Sequence, residues 1–323
     1  MAARHLPLLM QNLFNTPIAL SQRKAEMIVA ALAGRLDIRA LTSETVAFDQ
    51  QALRGLSERG REEARLEREL AAARRSSTPD GPWTAEFWGE RPYRLSESGI
   101  ATIEVLGTLT RTWGIHPESG STGYDGILTK LEFAMDDSAC KGIFVKENSG
   151  GGAVDGLFDT SDAIFKCSAR NGGKPIWAFA GDHAYSAAYA LGAACDRLIA
   201  PPMGGVGSIG VIAIFADLTG AMEESGIKAH IFRSDDRKAI GIGGMESLDE
   251  LEIKHLQAQI DEAGDYFKER VALYRADKGL SKSTISETRG WDYTASQAKA
   301  TGLIDGILSE QDAWAEFERE LAQ

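Results

Sequence analysis

Cysteine is scarce. Cys140, Cys167 and Cys195 are scattered through 323 positions, and no Cys-x-x-Cys spacing occurs. Buried, reduced thiols are the plain expectation, which suits a cytoplasmic protein. Long hydrophobic runs are also missing. Met1-Ala-Ala-Arg-His-Leu-Pro-Leu-Leu-Met-Gln11 has a short apolar patch interrupted by Pro7 and Gln11, unlike a signal-peptide h-region. No stretch approaches the ~18 uninterrupted apolar residues of a membrane span, so a soluble chain without a membrane anchor is expected. Positive charge is in deficit, with 35 Lys+Arg against 47 Asp+Glu and a net charge of -12. Nothing broad would attract phosphates, which disfavours a nucleic-acid or anionic-membrane binder. No Gly-Lys-Ser/Thr follows a glycine run, so a phosphate-cradling P-loop in its usual form is excluded.

Residues 1 to about 40 read as helical. Ser21 precedes an amphipathic run (Ala25, Ile28, Val29, Leu32, Leu36), and charge dominates 57–75, both read as helical. Ser76-Ser-Thr-Pro-Asp-Gly-Pro82 is a breaker cluster. Residues 1–82 are therefore expected to form a helical extension, ahead of a main domain over 93–308 and a C-terminal helix over 309–323. In the main domain strand and helix signals alternate. Ile100–Leu106, Gly142–Val145, Pro175–Ala180, Arg197–Ala200, Val211–Phe215 and Ala229–Phe232 read as strands. Tyr124–Met135, the stretch from Val154 to Phe165 and the run after Ser186 read as helices. Ser247-Leu-Asp-Glu250 has capping-box spacing for a long helix to about Ala276, and Thr294-Ala-Ser-Gln297 repeats the device. This alternation predicts an α/β fold with a largely parallel sheet and helices packed on it.

Four segments could carry chemistry. Ser186 opens the Ala-rich run Tyr185-Ser-Ala-Ala-Tyr-Ala-Leu-Gly192. A helix N-terminus offers free N–H groups to an oxyanion, but a lone serine there also reads as a simple cap. Ser149-Gly-Gly-Gly152 could bring backbone N–H groups close to a ligand, or be a flexible turn. Lys238 precedes the small, apolar Ala-Ile-Gly-Ile-Gly-Gly244, where burial could lower its pKa; it also reads as a surface lysine. Arg237 would lower that pKa further, and Asp235 and Asp236 would raise it. Gly205-Val-Gly-Ser-Ile-Gly210 fits the dinucleotide fingerprint Gly-x-Gly-x-x-Gly, with Asp235 downstream, but is followed by a strand-like rather than helical run. His183 is close to Ser186 in sequence, with no clear third member for a triad.

Taken together, these segments resemble the signal peptide peptidase A/protease IV family of serine peptidases. Asn148-Ser-Gly-Gly-Gly152 is similar to its Asn-Ser-Pro-Gly-Gly, with Gly150 in place of proline. Tyr185-Ser-Ala-Ala-Tyr189 and Cys195-Asp-Arg-Leu-Ile-Ala200 resemble its nucleophile helix and following strand. Gly207-Ser-Ile-Gly-Val211, Arg237-Lys-Ala239 and Ala298-Lys-Ala-Thr-Gly-Leu-Ile-Asp305 follow in the family's order.

The resemblance implies a Clp-protease/crotonase-like fold and a Ser–Lys dyad. Ser186 would be the nucleophile and Lys238 the general base, positioned by Ser208. The Gly152 and Ala187 N–H groups would form the oxyanion hole, with Gly150 and Gly151 in the adjoining turn. No metal or organic cofactor would be needed, and a homo-oligomer is expected by analogy. Arg4-His-Leu-Pro7, Phe14-Asn-Thr-Pro-Ile18 and Lys24-Ala-Glu26 resemble the phage branch, whose members are head-maturation (prohead) proteases. That branch implies capsid scaffold or portal proteins as substrates, in the bacterial host cytoplasm or inside the prohead. With the chain ending at Gln323, a scaffold would be a separate chain or an overlapping gene product. A bacterial signal-peptide-peptidase-like protease, a nucleotide-binding enzyme and a catalytically silent capsid assembly protein remain the alternatives.

Overall fold

The computed structural model describes residues 18–20, 91–112 and 120–323. The expected helices around 21–36 and 57–75, and the boundary at 76–82, lie outside the described residues.

Five strands build the body of the main sheet: β2 (Arg94–Leu95), β3 (Ile100–Leu106), β6 (Gly142–Ser149), β8 (Ile176–Tyr185) and β10 (Gly205–Gly207). Strands β3, β6, β8 and β10 are parallel, and β2 closes one edge antiparallel to β3. At the other edge β11 (Asp292–Thr294) runs antiparallel to β10. The first half of β8 also pairs with β9 (Arg197–Ala200), which carries β12 (Gly306–Ile307).

The continuous apolar runs seen in the sequence follow from burial on both faces. Ala101, Ile103, Val105, Ile143, Val145, Ile176 and Ala178 enter one core. Ile100, Phe144, Trp177 and Phe179 alternate to the opposite face, where Ala313 and Phe317 of α8 (Glu310–Leu321) cover them. The first face is covered by α1 (Tyr124–Asp136), α2 (Leu157–Cys167), α3 (Ala187–Ala194) and α5 (Glu250–Tyr274). Every residue of α3 is buried. Its alanines let it lie close to the sheet: a Cβ on Gly192 would come within 2.6 Å of the Glu147 carboxylate and 3.0 Å of Leu198.

A second, smaller sheet joins β5 (Ser121–Gly123), β4 (Thr108–Thr110), β7 (Gly151–Ala153) and β1 (Ile18–Leu20). Strand β1 pairs antiparallel with β7, placing Leu20 opposite Gly151 and Ala19 opposite Gly152. Residues 18–20, expected within a helical extension, are instead a strand that lies along the glycine turn.

Three expectations change. Val211–Phe215 and Ala229–Phe232 form no strand, and a short helix, α4 (Thr219–Glu224), lies between them. The long helix is capped by Asp249 and Glu252, not by Ser247 and Glu250. The Ser247 hydroxyl instead donates to Asp217 at 2.6 Å. The Thr294/Gln297 capping box stands where expected and opens α7 (Ala295–Ala300). A third short helix, α6 (Lys282–Glu287), precedes β11.

Candidate active site

Strand β8 ends at Tyr185 and α3 begins at Ala187, so Ser186 is the single-residue elbow between them. Its backbone has φ 55° and ψ −116°, a conformation costing on the order of 1–3 kcal/mol for a non-glycine residue. Strain of this kind at a strand–helix turn places a serine hydroxyl at the head of the helix. Ser186 makes no side-chain cap bond to α3, so the capping role open to it in the sequence is not the one observed. Its N–H instead donates to Gly207 O at 2.8 Å, and its hydroxyl donates to Gly210 O at 3.4 Å, at the limit of a hydrogen bond. The side chain is buried. Ala187, as the first residue of α3, contributes an N–H that has no intrahelical partner.

The glycine turn is anchored through its serine. Ser149 Oγ donates to Gly107 O at 2.6 Å and accepts from Gly151 N at 3.1 Å. Gly107 N closes the loop on Asn148 O at 2.9 Å, while Asn148 Nδ2 donates to Asp182 at 3.0 Å. Gly151 has φ 97°, open to glycine. Gly152 is glycine for a different reason: a Cβ would lie 2.0 Å from Leu109 O of β4. Ser149 of β6 is level with Ala184 of β8, two residues before Ser186. The turn and the elbow therefore sit at the same end of two adjacent strands.

The Gly205–Gly210 segment is not a dinucleotide turn. Gly205–Gly207 is strand β10, and no helix begins before Thr219. Gly205 leaves room for the Tyr185 ring, since a Cβ would meet its hydroxyl at 2.1 Å. Gly207 (φ 108°) and Ser208 (φ 55°) turn the chain sharply over Ser186. The Ser208 N–H donates to Trp291 O at 2.9 Å.

Lys238 stands apart. It lies on an exposed turn, its N–H donating to Asp235 O and its carbonyl accepting from Arg233 Nε at 2.7 Å. Arg237 pairs with Asp249 and Glu252 at the start of α5. Thus Ser186, Ser208, Ala187 and the Gly150–Gly152 turn gather at one end of the sheet, and Lys238 is carried on an arm outside it. His183 stacks on Tyr185 with ring centroids 5.2 Å apart. Sequence reasoning missed the positive φ of Ser186 and Ser208. It also missed Asp292, which β11 brings opposite Gly207, the residue before Ser208.

Beneath the site, Glu147 is fully buried, with neither carboxylate oxygen hydrogen-bonded. Burial pushes its carboxyl well above the ordinary range.

These features describe an α/β protein with a strained serine at a strand–helix elbow, beside an anchored glycine turn. Residues 168–323 match the model of Peptidase family S49. Capsid assembly protease C of Escherichia phage lambda is 32% identical over 311 residues, covering 96% of this chain and 65% of that protein. Head-tail preconnector protein GP5 of Enterobacteria phage P21 is 35% identical over 228 residues, covering 70% of this chain and 44% of that protein. Protease 4 of Haemophilus influenzae is 27% identical, covering 66% and 33%. The chain thus spans less than two thirds of the length of each. Among solved structures, an enoyl-CoA hydratase/isomerase family member has a TM-score of 0.40 at 15% identity, covering 71% of this chain and 74% of that one. Among the described residues, no helix is long and apolar enough to cross a membrane.

Proposed function

We propose that this chain is a serine endopeptidase that uses a Ser186–Lys238 dyad and cleaves capsid-associated proteins, such as scaffold or portal proteins, during phage head assembly. The carrying observation is Ser186: strained, uncapped and set at the N-terminus of a buried helix beside the glycine turn. A serine hydroxyl needs a base to become a nucleophile. Neutral Lys238 would take the Ser186 proton as Oγ bonds to the substrate carbonyl carbon. The resulting oxyanion would lie between the Gly152 and Ala187 N–H groups, with Gly150 and Gly151 shaping the turn beside it. Lys238 would return the proton to the leaving amine, and water would hydrolyse the ester. The weak Ser186–Gly210 contact is readily given up to an incoming substrate.

For this to work Lys238 must leave water, since only a desolvated lysine is neutral near pH 7. The homo-oligomer offers the means. The arm carrying Lys238 exposes Phe232, Ile227 and Met245, and the first turn of α5 exposes Leu251 and Ile253. Packing these surfaces between copies would enclose the lysine. The phage relatives support the choice of capsid proteins as substrates.

The test compares wild type, Ser186→Ala and Lys238→Ala on unfolded and scaffold-type protein. Each substitution should lower kcat by about 10³-fold or more. Cleavage that persists unchanged in both would sink the dyad. No cleavage by any of the three would leave a silent assembly protein instead. Wild-type activity should also fall on acidification as the lysine is protonated; a flat acid limb would exclude a lysine base.

A further inference from the structure

Strand β7 has two edges, and both are taken. One pairs in parallel with β4, with Gly152 opposite Leu109, and the other pairs antiparallel with β1. Among the described residues β1 is the last strand on that side of the sheet. The strand it covers belongs to the candidate site. Gly152, the proposed oxyanion donor, stands directly opposite Ala19, and α3, which Ser186 heads, packs against β7.

An antiparallel ladder alternates. Either Gly152 exchanges hydrogen bonds with Ala19, or Gly151 and Ala153 exchange them with Leu20 and Ile18. In both cases the groups that this edge of β7 presents are used by the chain itself. Free strand edges are where extended peptides dock, with main-chain bonds supplying the affinity. Two of the three β7 residues are glycines, so the edge offers backbone and almost no side chain to sort one strand from another. A different extended segment can take the place of β1, but not while β1 is there.

We infer that this edge of β7 is where a protein substrate docks as an extended antiparallel strand, and that β1 is a built-in occupant which the substrate displaces. This rests on the proposed peptidase reading and adds to it a competitor carried by the chain. β1 is three residues long, so it makes few ladder bonds, and a longer unfolded segment can replace it. Being tethered, it competes at a fixed effective concentration that the substrate must exceed. Folded proteins, whose strands are already paired, compete poorly, so the contact selects for extended chain.

Cleavage of casein by the full chain tests this. Ala19→Pro/Leu20→Pro removes a ladder N–H whichever way the pairs alternate. KM should fall about tenfold with kcat nearly unchanged, because what changes is the fraction of chains with a free edge. Ile18→Cys/Ala153→Cys sets two thiols opposite each other across the ladder. Oxidised, this variant should lose about tenfold in kcat/KM, and dithiothreitol should restore it. Because β1 stays in place there, the cross-link keeps the test valid if the proline variant folds poorly. A third arm needs no catalysis. A labelled peptide of residues 15–22 should bind Ser186→Ala/Ala19→Pro/Leu20→Pro about tenfold more tightly than Ser186→Ala alone. An unchanged or higher KM in a folded proline variant, a cross-linked enzyme as active as the reduced one, or equal peptide affinity in the two backgrounds would overturn the inference. Tighter peptide binding in a chain that cleaves nothing would instead overturn the peptidase reading and keep β1 as the occupant of a peptide-docking edge.

Discussion

The β8–α3 elbow and the 211–249 arm are opposites. At the elbow everything is enclosed: α3 is wholly buried, and Ser186 is tied to the turn over it through Gly207 and Gly210. Along the arm only Gly241 and Gly244 are buried, and Phe232 is 94% exposed. The arm's fixed points are polar, with Arg237 on Asp249 and Glu252, and Arg233 on Glu246. Surface pairs of this kind contribute little, typically about 0–1 kcal/mol. The lone chain therefore builds a rigid nucleophile side and leaves the proposed base side without a core.

That contrast is broken if substitutions in the two regions behave alike. The largest effect expected on the enclosed side, after loss of Ser186 itself, is from Gly152→Ala. The new Cβ would sit 2.0 Å from Leu109 O and 2.5 Å from Leu109 N, which are backbone atoms. Strand β7 must then move away from β4, taking the proposed oxyanion donor with it. Loss of one such donor costs about 10²–10³ in kcat. The unfolding midpoint should fall as well. Lys238→Ala should remove activity with the midpoint unchanged. A Gly152→Ala enzyme of wild-type rate would show that the turn is not part of the site.

Much of the enclosed side was legible in the sequence, and much of the arm was not. The strands at 100–106 and 197–200 were readable because burial on both faces demands continuous apolar runs, and Thr294/Gln297 because a capping box is local chemistry. Val211–Phe215 and Ala229–Phe232 have the same apolar texture but no sheet to join, and strand propensity is mostly a statement about such neighbours. The cap moved from Ser247 to Asp249 because the Ser247 hydroxyl goes to Asp217, thirty residues away. Asp292 was invisible for the same reason: its place opposite Gly207 exists only through the antiparallel pairing of β11 with β10. The strain at Ser186 and Ser208 leaves no mark in residue type.

A second lysine sharpens the comparison. Lys130 of α1 is 4% exposed, and burial lowers its pKa to about 8, with Glu104 pulling the other way. It is a desolvated lysine, but α2 packs between α1 and α3, away from Ser186. Lys130→Met should leave cleavage intact, and loss of cleavage would make it a rival to Lys238. The stability effect has a definite sign. Below pH 8 both folded and unfolded chains carry the charge, and the folded one bears the desolvation cost. Above about pH 8 the folded chain releases its proton while the unfolded one keeps it, so wild-type stability rises towards pH 10.5. Lys130→Met should therefore raise stability at pH 7 by about 3 kcal/mol, the fall from 10.5 to about 8 counting roughly 1.4 kcal/mol per pKa unit. The gain should shrink towards pH 10 in urea melts. A gain constant across that range would mean that packing, not charge, is what changed.

The smallest expected effect on folding lies at Phe232. Its ring is almost fully in water in the single chain, so Phe232→Ser should shift the unfolding free energy of the monomer by less than about 0.5 kcal/mol. If the arm packs between copies, the same ring is one of the apolar groups that enclose Lys238. Phe232→Ser should then weaken self-association in sedimentation runs, and activity should become more dependent on protein concentration than in wild type. The elbow would be untouched, so activity should recover at high concentration. An unchanged sedimentation profile with unchanged activity would show that the arm closes over the site without its aromatic tip, and the contrast between a finished nucleophile side and an unfinished base side would then rest on Lys238 alone.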